Sequence, residues 1–155
     1  MSEPVLYKTA LAKAMNLCSQ REMCASEIES KLESWGISGS DTGKIISLLI
    51  KENFISEVRF ASAFARDKFK YNKWGKIKIA AHLRSKKISS ASISTGLESI
   101  DNDLYINTLK SLIESHRRSV KAKNQYDLKA KLIRYGLSKG FESSLLYDIL
   151  NLTDE

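Results

Sequence analysis

At 155 residues with a net charge of +7, a single proline and modest aromatic content, the chain fits one domain or a row of small helical units. It has no apolar run long enough to cross a bilayer. It also lacks the charged-then-apolar start of an export signal, so a cytoplasmic protein is expected.

In chain order, Pro4 is well placed at a first helical position, and Leu6, Ala10, Ala14 and Leu17 give that helix an apolar face. Ser19-Gln20-Arg21-Glu22 breaks the pattern. A second helix runs from Cys24 or Ser26 to Ser34, with Ser26 and Glu29 as candidates for a capping box. Gly36 supplies its left-handed end. A third opens at Ser40 or Asp41, turns Ile45, Leu48, Leu49 and Ile46 inward, and ends near Asn53.

From Ser56 a fourth helix carries Val58, Ala61, Phe64, Ala65 and Lys68 or Phe69. In Phe60-Ala61 and Phe64-Ala65, large and small residues alternate, which lets helices approach closely. Lys70 to Gly75 reads as a loop, with Gly75 capping the next helix. A short Ser-rich helix follows, with Ile93, Leu97 and Ile100 on one side. Asp101 begins a helix with Tyr105, Leu109, Leu112 and His116 at helical spacing, and Arg117 to Lys123 forms a basic connector. Asn124 caps the next helix, Gly136 ends it, and a last helix from about Glu142 to Leu150 buries Phe141, Leu145, Leu146 and Ile149.

One figure recurs along this chain. Ile28, Leu32 and Ile37 are echoed by Ile79, Leu83 and Ile88, and again by Leu128, Leu132 and Leu137, at offsets of 51 and 49 residues. Cys24, Gly75 and Asn124 each precede the figure by four residues. Near-constant spacing predicts one unit written three times: residues 1–55, 56–100 and 101–155, each of three short helices. Short helices need tertiary contacts, so the units are expected to stack as an all-α, elongated array.

Little in the sequence suggests catalysis. It has no Walker-type phosphate loop, no HExxH and no paired-cysteine metal motif, and no pair of carboxylates stands out. Cys18 and Cys24 are expected as free thiols, small and at least partly buried. His82 reads as a boundary residue and His116 as the end of an apolar face.

Charge is more telling. Residues 1–50 hold 5 basic against 6 acidic side chains, residues 51–100 hold 11 against 4, and residues 101–155 hold 9 against 8. A surplus confined to the middle third suggests an acidic partner, such as nucleic acid or an acidic protein surface. The candidate contact residues there are Arg66, Lys68, Lys70, Lys73, Lys76, Lys78, Arg84, Lys86 and Lys87. They are interleaved with Phe69, Tyr71 and Trp74. Cations neutralise phosphates and rings stack on bases; Phe69 and Trp74 serve equally well as core. Arg117, Arg118, Lys121 and Lys123 form a second basic run.

Three stretches resemble the RecX family of bacterial recombination regulators. The first is Arg21-Glu22, Glu27-Ile28, Lys31-Leu32 and Trp35-Gly36-Ile37. The second is Asn53-Phe54-Ile55 leading into Arg59-Phe60-Ala61. The third is Trp74-Gly75 with Ile79, Leu83, Lys86 and Ile88. The likeness spans residues 8–150. The chain departs from it at Cys24, where a serine cap is usual, at Ser56-Glu57, where an acidic pair is common, at His82, where glutamate is usual, and at Lys87, where the other two units have glycine.

The resemblance implies a curved array of three-helix repeats that binds the RecA–single-stranded DNA filament. It implies inhibition of strand exchange, ATP hydrolysis and stimulated repressor cleavage, without enzymatic activity or a cofactor. A monomer is the expected state. The residues alone leave two other readings open, a stand-alone helical DNA-binding module and a scaffold that binds protein only.

Overall fold

The computed structural model describes residues 3–153, with side chains described over 4–151. Among the described residues there are nine helices and no strand. They are α1 (Glu3–Gln20), α2 (Ala25–Ser34), α3 (Ser40–Lys51), α4 (Glu57–Asn72), α5 (Lys76–Ser85), α6 (Ser90–Glu98), α7 (Asn102–Ser119), α8 (Gln125–Ser138) and α9 (Ser143–Thr153). The chain is all-α, in three successive sets of three helices. None of the described helices is long and apolar enough to cross a membrane.

By packing, the chain forms two units. One runs through Ala63 and takes in Leu83–Gly96; the other holds Phe64–His82 and everything from Leu97 onward. The second unit has 15 basic against 10 acidic residues and the first 10 against 8, so most of the positive surplus belongs to the second.

In the first unit, Ala10, Ala14, Met23, Ile28, Leu32, Ile37, Ile45, Ile46, Leu49 and Ile55 share one apolar core. Ile45, Ile46 and Leu49 face inward as expected, whereas Leu48 lies at the surface. Val58 on α4 is likewise exposed, and Phe60 is buried instead. Cys24 is the N-cap of α2, and its N–H donates to Glu27 Oε1 at 3.2 Å. The expected Ser26–Glu29 box does not form, because α2 is capped at Cys24 and Ser26 lies within its first turn, where its Oγ donates to the Lys86 carbonyl at 2.8 Å, 60 positions on. Both cysteines are free thiols. Burial, and then the nearby Glu22 charge, push the Cys18 thiol pKa up.

Arg59 draws the first two stretches of the sequence resemblance together. Its guanidinium pairs with Glu22 at 3.1 Å and donates to Asn53 Oδ1, to the Asn53 carbonyl and to the Phe54 carbonyl. Those residues thus join the turn after α1 to the turn after α3. The large–small alternation on α4 also has a physical use. A Cβ on Gly96 of α6 would lie 2.8 Å from the Ala61 carbonyl, so both small residues are needed for this approach.

Three helices end in the same turn. After α2, Gly36 N–H bonds the Glu33 carbonyl and Ile37 N–H the Leu32 carbonyl, with Gly36 at φ 85°. After α5, Lys87 and Ile88 make the equivalent bonds to Arg84 and Leu83, and Lys87 is held at φ 65°. After α8, Gly140 and Phe141 bond Leu137 and Gly136. The third figure is therefore Leu132, Gly136 and Phe141, four positions beyond the expected Leu128, Leu132 and Leu137. Gly136 does not end the helix. It is buried inside α8, where a Cβ would lie 2.3 Å from Leu146 Cδ2, and Leu146 of α9 fills the space. Correspondingly α8 has 14 residues against 10 in α2 and α5. Leu137 is 45% exposed, whereas Phe141 is fully buried.

A lysine in the left-handed region carries strain that glycine does not. Lys87→Gly is expected to stabilise the chain by about 1 kcal/mol, read as a higher urea midpoint at unchanged slope.

Candidate functional site

The cations singled out in the sequence fall into four settings. The first lies in the second unit, on the last turns of α4. Helix α4 continues to Asn72, so Lys70 and Tyr71 stand on a helix and not in the expected loop. Arg66 and Lys70 are then four apart, on one face. Lys73 follows the helix at φ 57°, and its ammonium donates to the Lys70 carbonyl at 2.8 Å, satisfying a helix-end acceptor.

These three line a groove of about 520 Å³ with Phe69, Ile100, Leu104 and Thr108. Phe69 is core, its ring 5.4 Å from that of Tyr105. Leu104 is 56% exposed. The groove's one carboxylate, Asp101, caps α7 by accepting from Leu104 N–H at 2.9 Å. The groove therefore joins a cationic side to an apolar floor. Periodicity pointed to Tyr105 and Leu109 and passed over Leu104; the signal was an apolar residue outside the buried phase of its helix.

The second setting is Trp74, half-buried after α4. The Lys68 and Lys78 ammonium groups lie 5.1 and 4.7 Å from the centre of its ring system. The His82 ring lies 4.4 Å away. Lys76 sits 4.8 Å over the Tyr105 ring. These cations pack their stems on aromatic faces, and that packing is structural as well as electrostatic.

Arg84, Lys86 and Lys87 form the third setting and belong to the first unit. Lys86 pairs with Glu27 at 3.1 Å, and its carbonyl receives the Ser26 bond. Arg84 and Lys87 are exposed.

The last setting is the second basic run, which is helical at its start. Arg117 and Arg118 occupy the final turn of α7, where positive charge complements the helix dipole, and Arg117 pairs with Glu114 at 3.3 Å. Lys121 and Lys123 are exposed in the connector. His116 stacks on Tyr135 with ring centres 3.9 Å apart.

Tyr105 anchors the second unit beneath the groove. Its hydroxyl accepts from Lys76 N–H at 2.8 Å and donates to Glu142, while its ring also meets Phe141 at 5.2 Å. Burial, and then the Glu142 bond, push the phenol pKa well above its usual value. The neutral phenol is thus favoured by folding, and its stabilisation is present below about pH 10 and lost as pH rises further. Tyr105→Phe is expected to cost about 2 kcal/mol by leaving Glu142 and Lys76 N–H short of a partner. Urea denaturation at pH 7 and pH 10.5 checks this, the gap between the two chains narrowing by about 0.8 kcal/mol at the higher pH.

Among the described residues, no three His, Cys, Asp or Glu side chains gather to hold a metal ion.

Residues 56–97 match the family described as RecX, second three-helix domain. Over 155 residues the chain is 25% identical to the regulatory protein RecX of Mycobacterium sp. (strain JLS), covering 97% of this chain and 85% of that one. It is 28% identical over 126 residues to the regulatory protein RecX of Clostridium botulinum (strain Eklund 17B / Type B), covering 80% of this chain and 58% of that one. In fold it is similar to the crystal structure of RecX from Lactobacillus salivarius, at TM-score 0.84 and 22% identity over 97% of this chain and 98% of that one.

Proposed function

We propose that this chain is a RecX-family protein, which its likeness to RecX regulatory proteins along most of its length supports, and that it is a regulator of the RecA–single-stranded DNA filament, restraining its ATPase, recombinase and coprotease activities and with them the SOS response. In this reading residues 1–55, 56–100 and 101–155 are three copies of one helical brick. The protein acts as a cytoplasmic monomer, by binding and not by catalysis.

The observation that carries the reading to particular residues is the groove of Arg66, Lys70 and Lys73 over Phe69, Ile100 and Leu104. A nucleoprotein filament offers both phosphates and protein surface, and a cationic side beside an apolar floor suits such a mixed partner. The apolar floor also favours a second reading, a scaffold that binds protein alone. Salt separates the two, because phosphate contacts make affinity fall with ionic strength.

The test is a titration of the purified chain into a RecA–single-stranded DNA ATPase assay. Inhibition that saturates at or below one chain per RecA is expected. ATP hydrolysis unchanged across the titration would remove the regulator reading.

A further inference from the structure

Helices α8 and α9 of the second unit enclose another groove, of about 430 Å³, that the basic middle of the sequence does not include. Its lining is Tyr126, Lys129, Ala130, Ile133, Arg134 and Tyr147. Tyr126 is 85% exposed and Tyr147 52% exposed. Two large rings left to solvent beside one groove need a reason, since scattered single apolar residues would not share a site. The floor, Ala130 and Ile133, is small and apolar, and both cations stand beside the rings. No carboxylate lines the groove. The nearby Asp127 accepts from Lys123 N–H at 3.0 Å and from the Lys131 ammonium at 3.2 Å, and the Arg134 charge also acts on it.

We propose that this groove binds single-stranded nucleic acid, with Tyr126 and Tyr147 stacking on unpaired bases and Lys129 and Arg134 meeting the phosphates. Exposed π-faces beside cations match the chemistry of a flexible polyanion whose bases are free to stack. Duplex DNA hides those faces, so a preference for single strands is what this site predicts. The proposal rests on the nucleic-acid part of the reading above and assigns it a second contact surface.

The experiment uses the full chain and a fluorescently labelled oligothymidylate of about 12 nucleotides, without RecA, followed by anisotropy at low salt. Wild-type protein is expected to bind this probe and to prefer it to a duplex of equal length. The double variant Tyr126→Ala/Tyr147→Ala is expected to weaken binding roughly 30-fold or more, with the salt slope unchanged. Tyr126→Phe/Tyr147→Phe keeps the rings and is expected to bind like wild type. Lys129→Gln with Arg134→Gln is expected to lower the salt slope by about 1.4. All four side chains line an open groove, and thermal melts confirm that each variant is folded.

No binding by wild type, an alanine variant within twofold of it, or a phenylalanine variant as weak as the alanine one would each overturn the proposal. The RecA ATPase titration is read separately. A chain that inhibits RecA but ignores the oligonucleotide loses this site and keeps the regulator reading. The opposite result keeps this site and loses that reading.

Discussion

Gly75→Ala is expected to destabilise the second unit by about 3 kcal/mol. Gly75 N–H bonds the Lys139 carbonyl at 2.7 Å and Ile77 N–H bonds the Gly140 carbonyl at 3.0 Å, which docks the start of α5 on the turn after α8. A Cβ on Gly75 would lie 2.3 Å from the Gly140 carbonyl carbon and oxygen and 2.4 Å from Phe141 N. All three are backbone atoms, and no rotamer change relieves the overlap. The turn itself cannot yield cheaply, because Gly140 is at φ 92° and packs against Lys78. Lys76 N–H would be pulled from Tyr105 at the same time. Gly43→Ala is the matching control: it lies inside α3 with nothing within 4 Å of its Cβ position, and alanine there is expected to stabilise by about 1 kcal/mol. Urea midpoints read both variants. A Gly75→Ala chain as stable as wild type would mean that α5 is not docked as described.

The second large effect concerns binding. Arg66→Glu, Lys70→Glu and Lys73→Glu together are expected to weaken filament binding on the order of 100-fold near 0.1 M salt. If those cations meet phosphates, the salt slope should fall by about 2, close to 0.7 for each phosphate no longer neutralised. All three side chains are exposed, so the melting midpoint should fall only slightly, through loss of the Lys73 bond to the Lys70 carbonyl at the end of α4. Lys76 and Lys78 are poorer probes, because they pack on Tyr105 and Trp74 and reversal would disturb the fold as well as the charge. Lys44→Glu, exposed on α3, gives the same change of sign away from the groove. Weakening by the triple variant with an unchanged salt slope would identify the groove's partner as protein surface and not phosphate.

The amino-acid sequence by itself determined the helices. Their caps and apolar periods are local, so Cys24, Gly36, Asp101 and Asn124 could be read directly, and with them the order of the nine described helices. The first two copies of the repeated figure were legible for the same reason, as was the crowding of cations between 51 and 100, whereas the third copy lies four positions beyond where it was read. Tertiary structure decided what each position meets. Gly136 reads as a stop because a glycine near the end of an apolar pattern usually is one; only Leu146, from another helix, explains a glycine that stays inside α8. Ser26 reads as a cap partner of Glu29, but it lies inside the first turn of α2 and its hydroxyl donates to the Lys86 carbonyl, sixty positions away. The basic residues separated likewise, into a groove wall at Arg66, Lys70 and Lys73, ring-bound cations at Trp74 and Tyr105, and an ion pair at Lys86. Helical period fixes the face a side chain leaves from, whereas its partner comes from a distant part of the chain, and local spacing carries no record of that.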